Sequence, residues 1–131
     1  MEFEPTPTLS AIAQTIFDKK GFNILALDVR DICSITDYFI IAEGSADRHV
    51  QALAKSVVQT MEEMGFRLVH SEGLKTGDWV VLDFQDIMIH LFMPGVRERY
   101  SLEQVWQERK IVSVNIVLPK KTNSSSPKKE P

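Results

Sequence analysis

The chain has one cysteine, Cys33, in 131 residues. An internal disulfide is therefore excluded, and so is a zinc site built from cysteines. It has no apolar run near the ~20 residues that a membrane span needs. It also has no surplus of positive charge. Fifteen Lys and Arg stand against 18 Asp and Glu, a formal net of -3, which is not the balance of a protein that grips nucleic acid non-specifically. The acidic start Met1-Glu2-Phe3-Glu4-Pro5 lacks the basic region and apolar run of a signal peptide and the arginines of a transit peptide. These absences predict a protein of a reducing compartment, with the cytoplasm as its address and no membrane contact.

What is present is an ordinary globular mix. Hydrophobic residues make up 44% and charged residues 25%, which excludes wholesale disorder. The length fits one domain, able to bury roughly two thirds of its unfolded surface.

Periodicity gives the order of elements. Thr6-Pro7 reads as a helix start with Thr6 as cap. Leu9, Ile12, Ala13, Ile16 and Phe17 follow a helical repeat, and Gly21 supplies the stop. Residues 24–29 and 38–42 are short apolar runs that read as strands buried on both faces. Ser45 caps a long amphipathic helix whose stripe runs from Ala46 through Val50, Leu53, Ala54, Val57, Val58 and Met61 to Met64, ending at Gly65. Leu68-Val69 reads as a short strand. Residues 79–84 and 87–92 are two strands separated by Gln85-Asp86, a two-residue hairpin with a poor turn pair. Ser101 with Gln104 forms a capping box, so a last helix starts at Leu102.

These elements predict an α/β (α+β) fold with a mixed sheet of about five strands flanked by helices. The hairpin must be antiparallel, and a strand-helix-strand unit over 38–70 favours a parallel arrangement. A sheet this apolar needs cover on both faces, and three helices leave a surface for self-association. The domain is expected over 1–110, a candidate extra strand over 111–118, and a disordered basic tail over 119–131, where Lys, Ser and Pro dominate.

Candidates for chemistry are few. Cys33 has no nucleophile signature around it and reads as a small structural thiol. His90 shares a strand face with Met88 and Phe92 and reads as a hydrogen-bonded core histidine, not a metal ligand. Gly44-Ser45 at the mouth of the long helix could aim N–H groups at an anion, with Arg48 one turn in. Together with Asp83 and Asp86 it sketches a small magnesium-dependent nucleotidyltransferase. The two acids flank a turn, however, and Ser is also an ordinary helix cap. Trp79, Arg97, Tyr100 and Trp106 are of the residue types that anchor interfaces. Trp106 fits a core, whereas Trp79 and Tyr100 fit core and interface equally.

Several ordered blocks carry a resemblance: Ala26-Leu27-Asp28-Val29, Ser34 through Ile41, Gly44 through Val50, Glu72-Gly73, Asp78 through Phe84, Ile89 through Phe92, Arg97 through Tyr100, Leu102-Glu103 and Trp106. In these, from about Leu9 to Trp106, the chain resembles the ribosomal silencing factor (Iojap) family. The resemblance implies a fold similar to nucleotidyltransferases used without catalysis, metal, cofactor or small-molecule substrate, and a homodimer. It implies binding to the large ribosomal subunit through large-subunit ribosomal protein fourteen, where the small subunit is sterically blocked and translation is repressed. Some organellar relatives are linked to large-subunit assembly. Carried over by position, the partner surface would use Trp79, Arg97, Tyr100, Leu102 and Glu103. Gln85 departs from the family, which usually has glycine there, and residues 111–131 extend past its usual end.

The small net charge conceals a division. Residues 120–131 hold four lysines against Glu130, a net of +3, which leaves 11 basic and 17 acidic side chains in residues 1–119, a net of -6. An acidic body suits docking on a basic protein, with at most peripheral ribosomal RNA contact through the tail.

Overall fold

The computed structural model describes residues 5–31, 36–96 and 110–112. Helix α1 spans Pro5–Asp18 and α2 spans Asp47–Glu63. The strands are β1 (Phe22–Asp28), β2 (Tyr38–Glu43), β3 (His70–Glu72), β4 (Trp79–Asp83), β5 (Ile87–Phe92) and β6 (Lys110–Val112). They form one six-stranded sheet in the order β3-β4-β5-β2-β1-β6, so the fold is the expected α+β arrangement around a mixed sheet.

The centre of the sheet is the parallel pair β2/β5, in register from Tyr38↔Ile87 to Glu43↔Phe92. The other pairs are antiparallel. The unit β2-α2-β3 does return in the same direction, but β5 and β4 intervene, so β2 meets β5 and not β3. All six residues of β2 are buried, as a central strand covered on both faces requires.

Both described helices lie on one face. Leu9, Ile12 and Ile16 of α1 and Val50, Leu53, Ala54, Val57 and Met61 of α2 form a cluster with Ala26, Ile40, Ala42, Val80, Leu82, Ile87, Ile89 and Leu91 of the sheet. Each such large side chain contributes roughly 1.5–3 kcal/mol by leaving water. The hydroxyls of Thr15 and Thr60 meet at 2.8 Å between the helices. On the opposite face Leu27, Phe39, Ile41 and Phe92 form a second cluster with Val29 and Val96.

Local chemistry moves several expected boundaries. Helix α1 begins at Pro5, ahead of Thr6. Its end is a double hydrogen-bonded turn, Gly21 N–H to Ile16 C=O and Lys20 N–H to Phe17 C=O. The left-handed residue is Lys20, at φ 74°. Gly21 is required for space instead, because a Cβ there would lie 2.3 Å from Ile16 Cγ2. Ser45 does not cap α2. The cap position is Ala46, in extended conformation and without a side-chain hydrogen bond. The strand read at Leu68-Val69 forms at His70–Glu72. The last helix from Leu102, Cys33 and residues 113–131 lie outside the described residues.

The β4-β5 hairpin turns tightly. Phe84 N–H bonds Ile87 C=O, and Asp86 N–H reaches back to Phe84 C=O at 3.1 Å around Gln85. This three-residue turn holds Gln85 at φ 81°, a conformation that strains any residue with a Cβ. Gln85→Gly is expected to raise stability by about 1 kcal/mol, the relief of strain exceeding glycine's extra unfolded-state entropy. In urea unfolding the midpoint should rise with the slope unchanged.

Candidate functional site

Trp79 is the first residue of β4 and points to the face that the two helices leave. It is half-buried, with its ring stacked on Phe92 at a centroid separation of 5.5 Å. Those two residues are cross-strand partners, so the stack follows from the register. Trp79 is neither fully core nor fully exposed: its ring rests on the sheet's aromatic row and also lines an open cavity of about 500 Å³. Glu72, Asp78 and Asp83 also line that cavity, with Met88 and His90 on its sheet side.

The loop before Trp79 is held from α2. Gln51 Nε2 donates to the carbonyls of Leu74 and Lys75 at 2.8 and 3.0 Å. Gly77 sits so close to α2 that a Cβ would lie 2.6 Å from Asp47 C=O. Asp78 then accepts from Thr76 Oγ1 and from Trp79 N–H, both at 2.9 Å. Its own carbonyl accepts from Met93 N–H. Trp79 therefore leaves a loop braced on both sides. Gln51 and Asp78 escaped the sequence reading because a polar residue on an exposed helix turn or in a glycine loop looks like solvated surface.

The indole nitrogen is also fixed. Trp79 Nε1–H donates to His90 Nδ1 at 3.2 Å. An indole nitrogen only donates, so Nδ1 carries the lone pair and the hydrogen of the neutral ring sits on Nε2. Burial pushes the His90 pKa down to about 4, which keeps it neutral at ordinary pH. His90 is thus hydrogen-bonded as expected, through one nitrogen, but it is half-buried at the wall of the cavity and not a fully enclosed core residue. Nε2 is shielded from water and has no hydrogen-bond partner among the described residues.

The other candidate does not assemble. Ser45 follows the end of β2, at the Glu43/Phe92 end of the parallel pair, whereas Asp83 and Asp86 sit by the Tyr38/Ile87 end. Six residues of strand separate the two ends by roughly 20 Å. Asp83 lines the Trp79 cavity and Asp86 a different hollow beside Gly65. Ser45 itself is engaged: its N–H and Oγ lie 2.9 and 3.1 Å from His49 Nδ1, and His49 Nε2 meets Lys19 C=O at 2.8 Å. His49 thereby ties the end of α1 to the start of α2. Arg48 is exposed. Among the described residues, no group of three His, Cys, Asp or Glu could hold a metal ion, and no helix is long and apolar enough to cross a membrane.

The sequence profile of the family described as ribosomal silencing factor during starvation (RsfS) matches residues 3–131. This chain belongs to that family. An RsfS of Chromobacterium violaceum is 37% identical over 97 residues, covering 74% of this chain and 80% of that protein. The mouse protein named mitochondrial assembly of ribosomal large subunit protein 1 is 37% identical over 93 residues, 63% of this chain and 41% of its own length. A crystal structure of a protein from C. violaceum matches with a TM-score of 0.76 at 33% identity, covering 88% of this chain and 95% of that one. The RsfS match thus extends beyond Trp106, where the quoted blocks end. Of the five partner residues implied by resemblance to the family, Trp79 is placed as above. Arg97, Tyr100, Leu102 and Glu103 lie outside the described residues.

A pH dependence follows from His90. In the unfolded chain a histidine takes a proton near pH 6.5, and in the folded protein His90 does so only near pH 4. Between these values the unfolded state binds more protons, so stability falls as pH drops through the window. The span corresponds to roughly 3 kcal/mol. Relative to His90→Phe, the wild type is expected to lose that amount between pH 7 and pH 4 in urea unfolding. The comparison cancels the carboxylates and His70 around the cavity, and a flat difference would contradict a neutral, buried imidazole.

Proposed function

We propose that this protein is a non-enzymatic repressor of translation that docks on the large ribosomal subunit and sterically blocks joining of the small subunit. The docking partner in this reading is large-subunit ribosomal protein fourteen. The observation that carries it is Trp79, a large aromatic side chain half-exposed on a braced strand end. A rigid aromatic anchor loses little entropy on binding, and Trp, Tyr and Arg dominate interface energetics. Membership of the RsfS family supports the ribosome as the place where that anchor would be used.

Charge supports a protein partner. Asp78 and Asp83 at the cavity have no Lys or Arg within ion-pair distance among the described residues. An acidic rim on an acidic body favours a basic protein surface over RNA phosphates. Arg97, Tyr100, Leu102 and Glu103 complete the proposed contact, the chain acts as a homodimer, and the basic tail makes at most peripheral contact with ribosomal RNA. Cytoplasmic action fits this reading. The name of the mouse relative favours a second reading, a part in large-subunit assembly at the same docking site.

Added protein is expected to reduce subunit joining on sucrose gradients. A Trp79→Ala, Tyr100→Ala double variant should lose that effect and bind large subunits at least about 30-fold more weakly, since a hot-spot truncation costs about 2 kcal/mol or more. Equal binding by the variant and the wild type would remove these residues from the interface.

A nucleotidyltransferase would be stabilised by its substrate. With magnesium present, none of the common nucleoside triphosphates is expected to raise the melting temperature, because Ser45 and the Asp83/Asp86 pair stand at opposite ends of β2 and β5. A saturable rise with any of them would reopen the enzymatic reading.

A further inference from the structure

His90 is a residue that stability alone would not choose. It lies beside Ile41 on β2, opposite Val81 on β4, with the rings of Phe39 and Phe92 at 4.9 and 6.1 Å. Leu or Phe would suit these neighbours. The imidazole instead leaves Nε2–H buried with no acceptor among the described residues. An unmatched buried donor is destabilising by roughly 1–3 kcal/mol, whereas an apolar group of similar shape avoids the loss. Something other than packing is therefore gained from the ring, and its other nitrogen shows what. Nδ1 accepts the indole N–H of Trp79.

That bond holds the indole in one orientation. The braced loop fixes the Trp79 backbone, but it leaves the side-chain torsions to be set by neighbours. Stacking on Phe92 restrains the ring plane, with an interplanar angle of 29°, and tolerates rotation and sliding within that plane. A directional hydrogen bond to Nδ1 removes that freedom. Without an acceptor there, the indole N–H would turn toward water, as a tryptophan with one apolar side and one wet side does.

We infer that His90 is the positioning residue of the docking face: its Nδ1 presets the orientation in which Trp79 meets the ribosomal partner, and the fold tolerates the unmatched Nε2 for that purpose. The inference rests on the proposal that Trp79 docks on the large subunit, and goes beyond it by naming a residue that acts through Trp79.

The test compares wild type, His90→Phe, His90→Gln and Trp79→Ala in binding to purified large subunits, melting temperature and near-ultraviolet circular dichroism of the free protein. Trp79→Phe supplies the spectral blank. His90→Phe is expected to melt no lower than wild type at pH 7 and yet to bind about tenfold more weakly, with a changed Trp79 band. His90→Gln, whose side-chain oxygen can accept from the indole, should recover most of the binding and of the band. His90→Phe binding as tightly as wild type while Trp79→Ala fails would overturn the inference and leave the docking site standing. A lower melting temperature in His90→Phe, with a binding loss that His90→Gln does not repair, would also overturn it, by showing a merely structural histidine. Trp79→Ala binding as well as wild type would overturn the docking reading itself. The spectral band would then still decide whether His90 orients the indole.

Discussion

The parallel pairing of β2 with β5 is the constraint from which the rest of the molecule follows. β2 is buried at every position, so both faces of the sheet must be closed at its centre. The two described helices close one face. The register then assigns every second residue of β5 to the other: Met88, His90 and Phe92. The antiparallel return to β4 sets Trp79, Val81 and Asp83 against them. The aromatic row, the cavity and the hydrogen bond from Trp79 to His90 are all consequences of that register. A slip of one residue would turn the row into the helix-covered core.

The same register bears on the rigidity of the proposed docking face. A half-exposed tryptophan on a free loop would be costly to order on binding. Here the loop before it is clamped to α2 by Gln51 and by the close approach of Gly77 to Asp47. Asp78 caps the start of β4 and joins it to Met93 beyond β5. Helix α2 is therefore both the cover of one sheet face and the anchor for the side chain presented on the other. Substitutions on α2 that loosen Gln51 would reach the proposed docking face through the loop that it holds.

Much of this was legible in the residues. The apolar runs located β1, β2, β4 and β5, and the 3.6-residue stripe located α2, because burial period is written directly into side-chain order. What failed was chemistry decided in three dimensions. Ser45 has the side chain of a helix cap, but His49 four residues on supplies a partner for both its N–H and its hydroxyl, and the helix starts one residue later, with Ala46 at the cap position. Leu68-Val69 looked like a strand because it is apolar, yet Val69 is 61% exposed. The polar His70-Ser71-Glu72 pairs instead with Asp83-Leu82-Val81, as suits a short, polar edge strand. Trp79 was undecidable in one dimension because it faces two ways. The strand pattern around His90 points to a hydrogen-bonded core residue, and the ring is hydrogen-bonded but only half-buried; no linear pattern shows that its bond goes to Trp79, eleven residues away, or that its other nitrogen has no partner among the described residues.

The separation of the two ends of β2 bears on function as well as fold. A site that moves a nucleotide must bring phosphate donors and metal-binding acids to one point. In this chain the helix mouth that could cradle a phosphate is occupied by its own histidine, which links α2 to Lys19 at the end of α1. The acids stand at the far end of the strands, where Asp83 lines the other end of the cavity that Trp79 also lines. Polar groups that might have converged on a substrate are instead spent on joining helices and bracing a loop. Among the described residues, the cavity brings together an aromatic ring and an acidic rim, an arrangement that suits the proposed recognition of a protein surface.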